Sequence, residues 1–406
     1  MQAQTSNLSP ETAADAAPDT EVESIDDFND MELHQNLIRG VMAYGFERPS
    51  IIQRQAIPAF VKNDRDIIAQ AQSGTGKTAT FTIAMLQKLD LQCNDVQAVI
   101  LAPTRELVEQ IYNVAGHIGQ YMDNLRMQLV LGGVPLREQT EQIRSTRPQV
   151  LIATPGRLVH LMRDGYVNPR HIKMFIVDEA DEMLSDGFQD QLRALIERMP
   201  KDLQIGLYSA TTTPEMNDVA QRFMRNPLMI SVKTEELTLD GIQQFYIALD
   251  HDYNKINTLM DLFSDIQLNQ TVIFCNSKRN VDVLCRQLEL ASLPCVGIHS
   301  DMTTEQRTAI MAKFRQGDAR VLVSTDLLCR GIDVQQVSLV INCDFPRQKE
   351  SYIHRIGRSG RFGRKGVAIN FVTQSDVSQI RAIEEFYHTS IQELPVNVAD
   401  VLAAVN

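Results

Sequence analysis

Asp66-Ile67-Ile68-Ala69-Gln70-Ala71-Gln72-Ser73-Gly74-Thr75-Gly76-Lys77-Thr78 joins a short apolar run to a glycine-bearing loop, and a helix-period segment from Ala79 to Lys88 follows. A buried strand leading through such a loop into a helix is the context of a phosphate-binding loop. Gly74 and Gly76 let consecutive N–H groups curl toward an anion, and the helix N-terminus adds partial positive charge. Within Ala71-Gln72-Ser73-Gly74-Thr75-Gly76-Lys77-Thr78, Lys77 is expected to reach the β- and γ-phosphates of a nucleotide and Thr78 to offer its hydroxyl to Mg²⁺. Ala71 stands where the general pattern has Gly.

Working outward from this loop, short β-branched runs alternate with helical stretches: Ala98 to Pro103, Leu129 to Gly132, Val150 to Pro155, Phe175 to Asp181, Ile205 to Thr211 and Met229 to Val232. Runs that are apolar at nearly every position are strands buried on both faces, so a parallel α/β sheet is expected. A polar stretch, 233–241, interrupts the rhythm and reads as a linker. The alternation then resumes at Gln243 to Leu249, Thr271 to Asn276, Cys295 to Ser300, Arg320 to Thr325, Leu339 to Asp344 and Val367 to Val372. With 406 residues, the chain divides into a tail (1–24), a first α/β domain (25–232), the linker and a second α/β domain (242–406), each domain of ordinary size.

Composition narrows the function classes. Apolar residues make up 44% and charged residues 22%, values of a globular protein. The longest apolar runs are about five residues, whereas a membrane-spanning helix takes about 20, and no secretory signal opens the chain. A cytoplasmic location is the expectation. The six cysteines form no C-x-x-C pair, so free thiols are expected and a zinc site is not. Net charge is -12, but residues 1–27 hold seven acids and no Lys or Arg, leaving -5 for the rest.

Two further clusters carry chemistry. Asp178-Glu179-Ala180-Asp181 ends an apolar strand on the edge where open parallel sheets bind ligands. Asp178 is suited to holding Mg²⁺ through water and Glu179 to orienting or deprotonating an attacking water. Between Arg347 and Lys365 lie seven basic residues against one acid, with arginines at every third position from Arg355 to Arg364. The interspersed glycines disfavour an ordinary helix and suggest a tight backbone presenting guanidinium groups. Arg358 and Arg361 are candidates for stabilising charge on a γ-phosphate. If those arginines sit in the second domain and the phosphate loop in the first, hydrolysis is expected to be conditional on domain closure, and whatever clamps the domains becomes an activator.

The loop, Asp178-Glu179-Ala180-Asp181 and the arginine row together resemble the DEAD-box RNA helicases, over nearly the whole chain from Phe28 onward. The resemblance implies two RecA-like domains, ATP and Mg²⁺ as cofactors, and RNA bound without sequence specificity. It implies that Phe28, Phe46 and Gln53 meet the adenine, and that Gly331 and Asp333 complete the nucleotide site. Pro103, Thr104, Arg105, Gly132, Gly133, Thr154, Pro155, Gly156 and Arg157 would contact the RNA backbone from the first domain, and Asn276, Thr325 and Asp326 from the second. Ser209-Ala210-Thr211, with Asp181 and His354, would couple hydrolysis to strand separation. Within the family, Asp186-Gly187-Phe188, Glu235 to Leu239, Asp333 to Asn342 and Glu393-Leu394-Pro395 resemble its translation-initiation branch. That branch implies a monomer served by a scaffold protein that bridges both domains. The alternative is an ATP-dependent RNA clamp of an exon-junction-like or pre-rRNA-processing complex.

Overall fold

The computed structural model describes residues 23–71, 75–184, 188–211, 213–232, 242–265, 270–326, 337–359 and 366–395. Most of the expected tail, the linker and the calls on Gln72, Ser73, Gly74, Gly331, Asp333 and Arg361 lie outside the described residues. Seven strands form the first sheet: β1 (Ile67–Gln70), β2 (Ala98–Leu101), β3 (Met127–Val130), β4 (Val150–Ala153), β5 (Met174–Val177), β6 (Gln204–Ser209) and β7 (Leu228–Ser231). Seven more form the second: β8 (Ile242–Ala248), β9 (Thr271–Phe274), β10 (Cys295–Ile298), β11 (Val321–Ser324), β12 (Leu339–Asn342), β13 (Gly366–Val372) and β14 (Gln392–Glu393). The orders are β3-β4-β2-β5-β6-β1-β7 and β10-β11-β9-β12-β13-β8-β14. Every pairing is parallel, the architecture of two RecA-like domains.

Aliphatic strands with helices on both faces explain the burial. Alternate residues of the first sheet feed two cores, Ile67, Ala69, Ile100 and Ile176 toward one face and Ile68, Val99, Leu101 and Val177 toward the other. Buried polar groups lock the register. Asp66 accepts hydrogen bonds from the Ile205 and Arg225 amides, fixing the entries to β6 and β7 on either side of β1. Helix starts are set by side chains: Thr104 accepts from the Leu107 amide at the start of Arg105–Ile118, and Thr303 with Gln306 forms a capping box at Thr304–Gln316.

The sheet order decides where ligands meet. Strand β6 separates β1 from β5, so Ser209-Ala210-Thr211 emerges between the phosphate loop and the carboxylates. Strands β2, β4 and β3 lie on the other side of β5, so the loops at 103–105, 132–133 and 154–157 share the opposite end of the same edge. Two expectations need correction. The residues flanking Arg355 do form a helix, Lys349–Ile356, which ends before Gly357, because the glycines that disfavour a helix begin only there. The chain is also anchored two residues before the expected domain start at 25, since Glu23 pairs with Lys62 at 3.1 Å, next to Ile25, which donates its amide to the Arg54 carbonyl.

Candidate nucleotide and RNA site

A cavity of about 320 Å³ opens at the C-terminal edge of the first sheet. Its walls include Phe46, Gln53, Lys77, Thr78, Asp178 and Glu179 from the first domain and His354 and Arg358 from the second.

Lys77 begins the helix that follows Gly76, whose φ of +96° only glycine adopts easily. A Cβ at Gly76 would also lie 2.7 Å from Gln53 Nε2. The buried Lys77 ammonium donates to the Ala71 carbonyl at 2.5 Å, so Ala71 helps fold the loop back on its own lysine. Burial lowers the Lys77 pKa, opposed by Asp178, Asp181 and Glu179. Asp178 is pushed up to about 7, chiefly by burial, with Lys77 pulling the other way. Its Oδ1 accepts from the Glu179 amide at 3.0 Å. Glu179 itself has φ +49°, a left-handed turn between β5 and the short helix Ala180–Met183. That turn places the carboxylate in the cavity, where its buried Oε2 has no hydrogen-bond partner among the described residues. The Thr78 hydroxyl and the Asp178 carboxylate, both on the cavity wall, are hard-oxygen donors of the kind that suits Mg²⁺.

Asp181 points toward the second domain. It accepts from Thr211 Oγ1 at 2.7 Å and faces His354 Nε2 at 3.4 Å. Burial would raise its pKa, yet His354 and the hydrogen bonds from His354 and Thr211 hold it well below the usual carboxylate range. Ser209 Oγ donates to the Thr211 carbonyl at 2.7 Å, so the residues following β6 hold Thr211 against Asp181. Arg358 is buried and donates from Nε to the His354 carbonyl at 3.0 Å.

At the other end of the cavity, Gln53 Oε1 accepts from the Ser50 amide at 2.8 Å and Nε2 approaches the Gly76 carbonyl at 3.4 Å. Phe46 lies 5.1 Å from Tyr44, ring centre to ring centre. Phe28 does not line the cavity. It is fully buried, 6.5 Å behind Phe46, because the turn Phe28–Met31 that Asp27 caps drives it into the core. Its expected place against the adenine is corrected to a buttress for Phe46. Tyr44, Arg48, Leu107, Gln110 and Val114 also line the cavity and escaped sequence reasoning. Only the spacing of Leu107, Gln110 and Val114 along one helix face hinted at the last three.

The remaining expected residues gather at strand ends. Thr104 caps its helix, Arg105 Nη1 donates to the Gly132 carbonyl, and Gly133 has φ +85°. Arg157 donates to the Val134 carbonyl at 2.8 Å and to Gln139 at 3.1 Å. Thr154, Pro155 and Gly156 open the helix Pro155–Arg163. In the second domain, Asn276 spends its amide on Phe345 and Arg355, and Asp326 holds Arg355 in a fork. Arg355 is 1% exposed, so the arginine row splits between an interior member and the cavity-lining Arg358. A second bridge between the domains, Arg307 to Glu106, measures 3.4 Å. Two RecA-like domains that share one phosphate-loop cavity and meet through ion pairs define a nucleotide-driven motor of the helicase class.

Comparison with known proteins sharpens that class. Residues 50–219 match the DEAD/DEAH box helicase family and residues 254–363 the helicase conserved C-terminal domain. The ATP-dependent RNA helicase eIF4A of Chaetomium globosum is 51% identical over 380 residues, which span 94% of this chain and 95% of that protein. The chain belongs to the DEAD-box ATP-dependent RNA helicases. S. cerevisiae Dbp5 bound to RNA and ADP BeF3 superposes with a TM-score of 0.88 at 33% identity, covering 93% of this chain and 99% of that one. A Dbp5 variant bound to Nup159, Gle1, IP6 and ADP gives 0.65 at 32% identity, covering 92% and 99%.

Proposed function

We propose that this chain is an RNA-dependent ATPase that separates short RNA duplexes without reading their sequence and works in translation initiation. The observation that carries the reading is the shared cavity, in which Lys77, Asp178 and Glu179 face His354 and Arg358 across the domain boundary.

Phe46 and Gln53 hold the base, and the loop from Ala71 to Thr78 wraps the phosphates. Thr78 and Asp178 would hold Mg²⁺, which would supply charge neutralisation at the phosphates when bound. Glu179, with an unmet carboxylate oxygen beside them, orients the attacking water and takes its proton. Arg358, with Arg361, stabilises charge on the γ-phosphate. Asp181 reports closure, because Thr211 of its own domain and His354 of the other bind the same carboxylate. RNA lies across the loops after β2, β3 and β4 and the strand ends of the second sheet, bound by its backbone. Asn276 and Asp326 support that surface from beneath, through Arg355. A scaffold protein that bridges the domains favours closure, and the chain acts as a monomer in the cytoplasm.

Replacing Glu179 by Gln keeps the shape and removes the base. Binding of ATP and RNA should persist while single-turnover hydrolysis falls by about 10²–10⁴-fold. Undiminished turnover would refute the assignment.

A further inference from the structure

Outside the cleft, the helix Lys278–Leu290 fastens to β10, the edge strand of the second sheet, through one stripe of side chains. Lys278 pairs with Asp301, and Asp282 meets His299 at 3.2 Å. Cys285, at the next position of the stripe, hydrogen-bonds the thiol of Cys295 at the start of β10. Cys295 Sγ also lies 3.6 Å from the Cys285 carbonyl oxygen. Gly297, on the same strand face as Cys295, makes room for the sulfur, since a Cβ there would stand 2.7 Å from Cys285 Sγ. Both cysteines are half-buried, within reach of a small oxidant.

We propose that Cys285 and Cys295 are a peroxide-responsive pair that closes to a reversible disulfide and bolts this helix to the edge strand. Cys295 Sγ sits against the Cys285 backbone and Cys285 Sγ against the strand at Gly297, so closure needs a local approach of the two sulfurs to bonding distance. The contact with Cys285 lowers the Cys295 pKa against burial, which raises it, and the same contact with burial holds Cys285 above its ordinary range, so Cys295 is the sulfur that meets peroxide and Cys285 the one that resolves. The S–O bond forms as the O–O bond breaks, and the departing hydroxide takes a proton to become water. Cys285 sulfur then attacks the sulfenic sulfur of Cys295, the S–S bond forms, and the hydroxyl leaves as a second water. Two electrons from the two sulfurs reduce one peroxide. The neighbouring pair Cys275 and Cys343 is shut off, because both are buried in the core.

Arg286 makes the test direct, since trypsin cuts between the two cysteines. The full-length protein is treated with hydrogen peroxide, free thiols are blocked, and the digest is mapped by mass spectrometry. The peptides 280–286 and 287–307 should appear joined, and separate again after dithiothreitol. The thermal midpoint of the second domain should rise on oxidation. In Cys295→Ser, and independently in Cys285→Ala, the joined peptide and the rise should both be missing while the reduced midpoint stays near that of the native chain. Joined peptides only under denaturant, preferential oxidation of Cys275 and Cys343, or a lower midpoint after oxidation would each overturn the proposal.

Discussion

Replacing Arg355 by Lys separates an interior role from a ligand-binding one. All five N–H donors of its guanidinium are occupied. Nε and Nη2 grip Asp326, the latter at 2.9 Å, and Nη2 also reaches Asn276 Oδ1 at 2.7 Å. Nη1 reaches Asn342 Oδ1 at 3.2 Å and the Asp344 carbonyl at 2.6 Å. The group spans the ends of β9, β12 and the segment after β11, over the face of Phe274 at 5.2 Å. Lysine keeps the charge but offers three donors from a single point, so at least two acceptors are left unmet. A buried unmet acceptor costs about 1–3 kcal/mol, and Asp326, partly exposed, recovers some solvation. A loss of about 2–4 kcal/mol follows, or about 1–2 M in the urea midpoint of the second domain at a slope near 2 kcal/mol/M. Urea titration followed by far-ultraviolet dichroism measures it. A midpoint shift below about 0.3 M, accompanied by weakened RNA or ATP binding, would refute the interior assignment.

Charge reversal at Glu106 or Arg307 alone leaves like charges in the partly buried contact between domains. The RNA concentration that half-activates ATPase should rise about ten-fold, the equivalent of 1.4 kcal/mol, and the double swap should recover most of it; no recovery means the two act separately. Burial lifts Asp178 to about 7, so the nucleotide-free fold retains a proton that the unfolded chain releases near about 4. Its contribution is full below that unfolded value and fades as pH rises through 7. Thermal midpoints across this window should show that fall in the native chain and a flatter profile in Asp178→Asn; parallel profiles would contradict the assignment. Gly40 lets two helices cross so closely that a Cβ would stand 1.8 Å from the Ile118 carbonyl oxygen. Gly40→Ala should cost about 1–3 kcal/mol by overpacking, visible in the first domain's unfolding, and unchanged stability would mean the crossing is not tight.

The elements that sequence made legible are those whose chemistry and spacing coincide. Gly76-Lys77-Thr78 after an apolar run, and Asp178-Glu179 at the end of another, specify both a strand end and a site. What remained hidden depends on direction in space. Arg355 and Arg358 look alike along the chain, three residues apart, yet a helix that stops at Ile356 turns one into the domain and the other into the cavity. Phe28 and Phe46 look equally suited to a base, but only the packing of Phe28–Met31 decides which is covered. Strand β14 is two polar residues, Gln392–Glu393, that pair with β8 only through the fold. Neither its length nor its composition marks it as a strand.

The Gly76 carbonyl is approached by Gln53 Nε2 from one side and accepts both the amide and the hydroxyl of Thr80 from the other. One oxygen thus ties the base end of the cavity to the phosphate end. A nucleotide that turns the Gln53 amide the wrong way tugs on the turn that seats Lys77. If Gln53 meets the base as proposed, an ill-suited base would be felt as a fault in alignment at the phosphates as well as a loss of grip at its own end of the cavity.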